Sequence, residues 1–171
     1  MNIGYQLAGH GDGRSIVALI RQLAVYQDME EKCLIRSDDM EHLLAIGAFR
    51  GFVAFDSDSI APRILGYALC KYVGTSSFTG RFDVELHDLY VSDQIRGQGA
   101  GSALLVFAAS LCSTEGSRLL FEVLEWNEAS IDFYVRHGAE PNGRPDRRHG
   151  QVWVPYVIQG EALERLQARL T

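Results

Sequence analysis

Three groups of residues have the types and spacing that chemistry needs. The first is Arg96-Gly97-Gln98-Gly99-Ala100-Gly101-Ser102, which lies between a strand-like run and an amphipathic one. Glycine has no Cβ, so the backbone can approach a ligand and take left-handed angles. The first amides of a following helix have no internal acceptors and carry partial positive charge, which suits a phosphate. Arg96 adds a full charge. The spacing departs from the dinucleotide fingerprint, which has two residues between its last glycines, and it lacks the Gly-Lys-Ser/Thr ending of a Walker loop. Alone, the segment reads equally as a phosphate cradle or as a ligand-free strand-to-helix turn.

The second group is Asn127, Ser130 and Tyr134. Spacings of three and seven put them on one helix face, with Asn127 as a good N-cap and Ile131 and Val135 on the neighbouring, core-facing side. A tyrosine there can donate a proton to a leaving group, or can simply be a packed aromatic with its hydroxyl at the surface. The third group is Glu85 and His87, two residues apart on one strand face. An imidazole suits proton uptake near neutral pH, and Glu85 is a second candidate. The alternative for His87 is a solvent-facing or hydrogen-bonded strand histidine.

Periodicity supplies elements to hold these groups. Residues 3–7 alternate as a strand, and 9–13 form a glycine-rich loop. Ile16, Leu19, Ile20, Leu23 and Ala24 recur at helical spacing, and a second helix starts near Ser37, read as its N-cap. Strands follow over 48–55, 63–73 and 82–91, a helix through Leu104–Cys112, a strand over 118–124, and the helix from Asn127. Residues 138–148 read as a polar turn region, 151–158 as a closing strand with an exposed edge, and 161–170 as a terminal helix. The expected fold class is α/β, one domain over residues 1–171, with a mixed central sheet of about six or seven strands and helices on both faces.

Composition narrows the function. The 171 residues suit one core, and no apolar run approaches a membrane span. The N-terminus lacks a basic region followed by an apolar stretch, so no signal peptide is expected and the cytoplasm is the default. A net charge of −6 argues against nucleic acid and anionic membranes as partners. Cys33, Cys70 and Cys112 are odd in number and widely spaced, so neither a disulfide framework nor a metal site is expected.

The stretch from His87 to Ser102 resembles motif A of the GNAT acetyltransferases, through Arg96, Gly99 and Gly101, and Glu125–Ala139 resembles motif B. With Leu23–Glu31, the chain is similar to the diamine acetyltransferase group (spermidine/spermine and thialysine acetyltransferases) over about residues 14–159. The resemblance implies the GNAT fold, acetyl-CoA as cofactor, a homodimer, and transfer of acetyl to a primary amine of a small molecule. It implies that the backbone at Leu89, Tyr90 and Val91 pairs with the pantetheine arm. It assigns the pyrophosphate to the amides from Gly97 to Ser102, turns Asn127 and Ser130 toward the cofactor, and makes Tyr134 the acid that protonates the leaving thiolate. Tyr26, Gln27, Asp28, Glu30, Phe78, His87, Glu125 and Trp126 are then the expected acceptor-binding residues, although core packing is a second reading for Trp126.

Two departures bear on the acceptor. The group's Glu-Asp pair before motif A reads His87-Asp88 here, and its Asp-Pro-Trp element reads Ser76-Ser77-Phe78. Both weaken spermidine or spermine and leave a small primary amine or an amino acid side chain open. A lysine-like amine has a pKa of about 10.4, so the site must take up its proton, through Glu85, His87 or water. A noncatalytic acyl-CoA-binding module and a protein lysine or N-terminal acetyltransferase are the alternative expectations.

Overall fold

The computed structural model describes residues 1–113 and 115–170. The strands are β1 (Ile3–Leu7), β2 (Arg50–Asp56), β3 (Ile64–Val73), β4 (Asp83–Val91), β5 (Leu119–Leu124), β6 (Glu140–Pro141), β7 (Asp146–Arg148) and β8 (Gln151–Ile158). The helices are α1 (Gly13–Tyr26), α2 (Ser37–Ala45), α3 (Ala100–Ser110), α4 (Glu128–Arg136) and α5 (Gly160–Gln167). Among the described residues the strands form one mixed sheet in the order β1-β2-β3-β4-β5-β8-β6, with β7 also paired to β8. The pairing of β4 with β5 is parallel, whereas β1–β2, β2–β3 and β5–β8 are antiparallel.

The chain divides into two compact units: residues 1–71 with 88–105, and residues 72–87 with 106–170. In the first, α1 and α2 bury Ile16, Val17, Leu19 and Met40 with Val53, Tyr67, Leu69 and Tyr90. Side chains of this size each contribute about 1.5–3 kcal/mol when fully buried. Ser37 opens α2 as its first helical residue and not as its cap. The Asp39 carboxylate, three residues on, accepts from the Arg36 amide at 2.9 Å and satisfies the helix start from inside.

In the second unit, β5 alternates Leu119, Phe121 and Val123 inward, and Phe121 stacks on Tyr156 of β8 with ring centroids 6.1 Å apart. The Arg118 amide donates to Asp83 Oδ1 at 2.9 Å, and its guanidinium donates to Oδ2 at 2.6 and 3.2 Å, which fixes the start of β4 beside β5. That partner raises the Arg118 pKa further. Gln167 of α5 donates to the carbonyls of Ala109 and Cys112 at 3.0 and 2.7 Å.

Two expectations are corrected here. Residues 138–148 are not turn alone: Glu140 and Pro141 pair with Val157 and Tyr156, and Asp146–Arg148 pair with Trp153, Val152 and Gln151. The sheet therefore exceeds six or seven strands, and β8 has no open edge, since β6 and β7 cover the side away from β5. Strands of two and three residues are too short to show a period in sequence.

Candidate active site

In the first unit, β4 ends at Val91 and the chain makes a single 3-10 turn, Asp93–Ile95, before the glycines. Ile95, fully buried, anchors this turn from below. Gly97 and Gly99 take φ of +74° and +85°, and a Cβ at either would meet nothing within 4 Å. The glycines thus serve a left-handed path whose outer side is open. Ala100 is buried and starts α3, and Gly99 accepts from the Ala103 amide at 3.0 Å. The amides from Gly97 to Ser102 therefore include the first turn of an eleven-residue helix. An exposed left-handed turn leading into a helix start, with Arg96 beside it, fits the pyrophosphate of a coenzyme A ester.

Arg96 also holds the turn. Its Nε donates to the Val91 carbonyl at 2.9 Å, its Nη1 pairs with Asp93 at 2.5 Å, and its guanidinium lies 5.6 Å from the centre of the Tyr90 ring. Gln98 Nε2 donates to the Gln94 carbonyl at 3.0 Å. The Tyr90 side chain is buried and its hydroxyl donates to Gln22 Oε1 at 3.2 Å, which commits the ring to the core. Burial raises the Tyr90 pKa. The same unit carries Tyr26, Gln27, Asp28 and Glu30 where α1 ends. Tyr26 is exposed, and Asp28 adopts φ +56°, a left-handed conformation uncommon outside glycine.

The second unit holds the other candidates. Asn127 is buried and caps α4, accepting from the Ser130 amide at 3.3 Å. Tyr134, one face-repeat on, is 8% exposed and packs on Phe121 and Phe133 at centroid distances of 4.3 and 5.0 Å. Val135 is 50% exposed and is not core-facing. It lies 100° around the helix from Tyr134, and the buried stripe follows Asn127 and Tyr134 instead.

Glu85 and His87 lie on the opposite side of the sheet from Tyr134. Val84 and Leu86 between and beside them are buried, and Glu85 and His87 alternate away from that side. Glu85 pairs in the ladder with Leu120, so it shares a face with Leu120 and not with Phe121, which carries Tyr134. His87 Nδ1 lies 2.9 Å from Glu85 Oε1. Trp126 is 46% exposed and its indole N–H donates to Gln151 at 3.0 Å, which removes the core reading. Glu125 and Phe78 are exposed. Among the described residues no group of three or more metal-binding side chains converges, and no helix is long and apolar enough to cross a membrane.

The Acetyltransferase (GNAT) family model matches residues 18–139, which include the glycine turn, Glu85, His87, Asn127 and Tyr134. The chain belongs to the GNAT family. It is therefore an acyltransferase, and enzymes of this family use acetyl-CoA. The GNAT chain is 28% identical over 173 residues to thialysine N-epsilon-acetyltransferase of Bos taurus, and 29% identical over 170 residues to that of Sus scrofa. In both cases 95% of each chain is covered. Among solved structures, a GNAT acetyltransferase from Streptococcus pneumoniae superposes with a TM-score of 0.72 at 18% identity, covering 92% of this chain and 99% of that one. A NatC complex bound to Gag peptide and CoA gives 0.67 at 19% identity, covering 93% and 99%.

Sequence reasoning missed the Glu85–His87 hydrogen bond as a contact, although the two-residue spacing signalled a shared face. It also missed Glu122 and Arg148, which form an ion pair on that same face.

Proposed function

We propose that this protein is an acetyl-CoA-dependent N-acetyltransferase for the primary amine of a small molecule, and that residues 1–171 act as one domain. The observation that carries the reading is the open left-handed turn at Gly97 and Gly99 leading into α3, in a chain that the GNAT family model matches over residues 18–139. The family model spans parts of both compact units, which supports a single catalytic domain.

Bound acetyl-CoA supplies an acetyl group on a thioester sulfur. The amides from Gly97 to Ser102 and Arg96 hold its pyrophosphate, the backbone at Leu89, Tyr90 and Val91 pairs with its pantetheine arm, and Asn127 and Ser130 line its path. With the imidazole proton on Nδ1 facing Glu85, the basic lone pair is on Nε2. Nε2 takes the proton of the acceptor ammonium, and Glu85 balances the imidazolium. With acetyl-CoA bound, the freed amine would displace the thiolate from the acetyl carbon, the Tyr134 hydroxyl would give its proton to the sulfur, and the second N–H proton of the acceptor would pass through water to restore that hydroxyl. On the family resemblance, Tyr26, Gln27, Asp28 and Glu30 of the first unit and Phe78, Glu125 and Trp126 of the second are the acceptor-binding residues.

Relatives named for thialysine, an amino acid with a side-chain amine, support an amino acid or diamine acceptor. The enzyme acts as a homodimer in the cytoplasm, where its free thiols Cys33, Cys70 and Cys112 stay reduced. The test is thiol release from acetyl-CoA with a panel of diamines, thialysine, amino acids and peptides. Release above the hydrolysis rate with small amines is expected. No amine-dependent release with any of them sinks the reading, and release with peptides alone makes it a protein acetyltransferase.

A further inference from the structure

The face of the second unit's sheet that carries Glu85 runs from strand to strand through the ladder register. Ladder partners share a face and the side-chain period is two. Glu85 stands opposite Leu120, Glu122 follows two residues on, Leu124 stands opposite Trp153, and Trp153 stands opposite Asp146. Arg148, two residues beyond Asp146, therefore shares the face of Glu85 and His87. Its side chain confirms the parity: Nη2 pairs with Glu122, Nε lies 2.9 Å from Asp146 Oδ2, and the guanidinium sits 5.6 Å from the centre of the Trp153 ring. The Glu122 hydrogen bond raises the Arg148 pKa, with further raising contributions from the charges of Asp146 and Glu85.

An ion pair at a sheet surface contributes little to stability, so its placement asks for another reason. The cluster offers two kinds of recognition side by side. A guanidinium has five N–H groups in a planar fork that matches a carboxylate, and its bonds to the two acids use Nε and Nη2. Glu122 and Asp146 accept from an ammonium. Together they complement a zwitterion, an α-carboxylate next to an α-ammonium. In the parallel β4–β5 register Glu85 stands opposite Leu120, so Glu122, two residues along β5, is at the level of His87, two residues along β4. A lysine-like side chain, five bonds of about 1.5 Å in a zigzag, gives its amine about 6 Å of reach from a head group held at Arg148.

We propose that Arg148, with Glu122 and Asp146, is the specificity element that binds the α-amino-acid head group of the acceptor while the side-chain amine reaches His87. This rests on the acetyltransfer reading above. It makes Arg148 the residue that separates an amino acid from the diamine left by its decarboxylation, which presents no carboxylate to the fork.

The test compares L-lysine with 1,5-diaminopentane. In wild type, kcat/KM is expected to favour L-lysine by at least tenfold. Arg148→Gln should lower the ratio of the two values by about tenfold to a hundredfold, mainly through KM for L-lysine, as loss of a charge-assisted hydrogen-bond pair does. Arg148→Lys, which keeps the charge and loses the fork, should fall between. A merely structural role would move both acceptors together, so a ratio unchanged within twofold in both variants overturns the proposal. Calorimetric titration of the wild-type protein with CoA present gives an answer that needs no variant and no turnover. Tighter binding of L-lysine than of 1,5-diaminopentane supports the head-group site, and equal or weaker binding overturns it. Absence of acetyl transfer to every amine would instead count against the function, with the calorimetry still deciding the site.

Discussion

His87 Nδ1 lies 2.9 Å from Glu85 Oε1, two residues earlier on the same strand. The contact orients the ring and fixes which nitrogen can take a proton. Glu85→Gln keeps a hydrogen-bond acceptor and removes the charge that balances an imidazolium. It is expected to lower kcat by about tenfold to a hundredfold, within the range of a general base's whole contribution of about 10²–10⁴. His87→Gln should lower it at least as far. Steady-state rates with a saturating amine check both, and an undiminished kcat in either variant removes the pair from the proton path.

Tyr134→Phe keeps the ring that packs on Phe121 and Phe133 and deletes only the hydroxyl. The folded state should therefore be retained, with kcat lower by about 10²–10⁴ and CoA affinity changed less than threefold. Calorimetry beside turnover separates the two quantities. An equal loss in binding and rate would make Tyr134 a packing residue.

Gly99→Ala places a Cβ where nothing lies within 4 Å, so any cost comes from the φ of +85° and not from a clash. A left-handed residue with a side chain costs about 1–2 kcal/mol. Chemical denaturation should show that loss, and CoA should bind more weakly because the amides of the turn shift. Gly47→Ala, at φ +71° and likewise in open space, is the control for a stability loss without a binding loss.

Burial pushes the Cys112 thiol up to about 12, with the Asp83 carboxylate adding to the rise. The folded protein keeps this proton at a pH where the unfolded chain, with an ordinary thiol pKa near 9, releases it. The folded state then binds more protons, so stability falls as pH rises from about 9 toward 12. Denaturation midpoints for wild type and Cys112→Ala should converge with rising pH in that window. Parallel curves would show that the thiol is not the group responsible. At neutral pH a thiol reagent should label half-buried Cys33 well before Cys70 or Cys112.

The legible part of the molecule was the part whose residues are local in sequence. The glycine turn, the Asn127 cap and the Tyr134 face follow from spacings of two, three and seven, and all three are where the periodicity places them. The strand through Glu85 and His87 was equally plain, because Val84 and Leu86 alternate with them. The Glu122–Arg148 pair was not legible, since its partners are 26 residues apart and meet only through the β5–β8–β7 register. Val135 misled because an apolar residue beside a buried stripe looks the same in sequence whether it faces in or out. Short strands β6 and β7 hid in a stretch rich in glycine, proline and charge, where composition argues for a turn.

Those two short strands have a consequence for how the protein behaves at high concentration. The long β8 would otherwise present a row of unsatisfied amides and carbonyls to any passing chain. Instead its flank is sealed from within by segments of two and three residues, one bearing Pro141 and the other Asp146, Arg147 and Arg148. A foreign strand arriving there finds a missing donor on one segment and a charged surface on the other. Strand addition at this margin is thereby disfavoured by the molecule's own sequence.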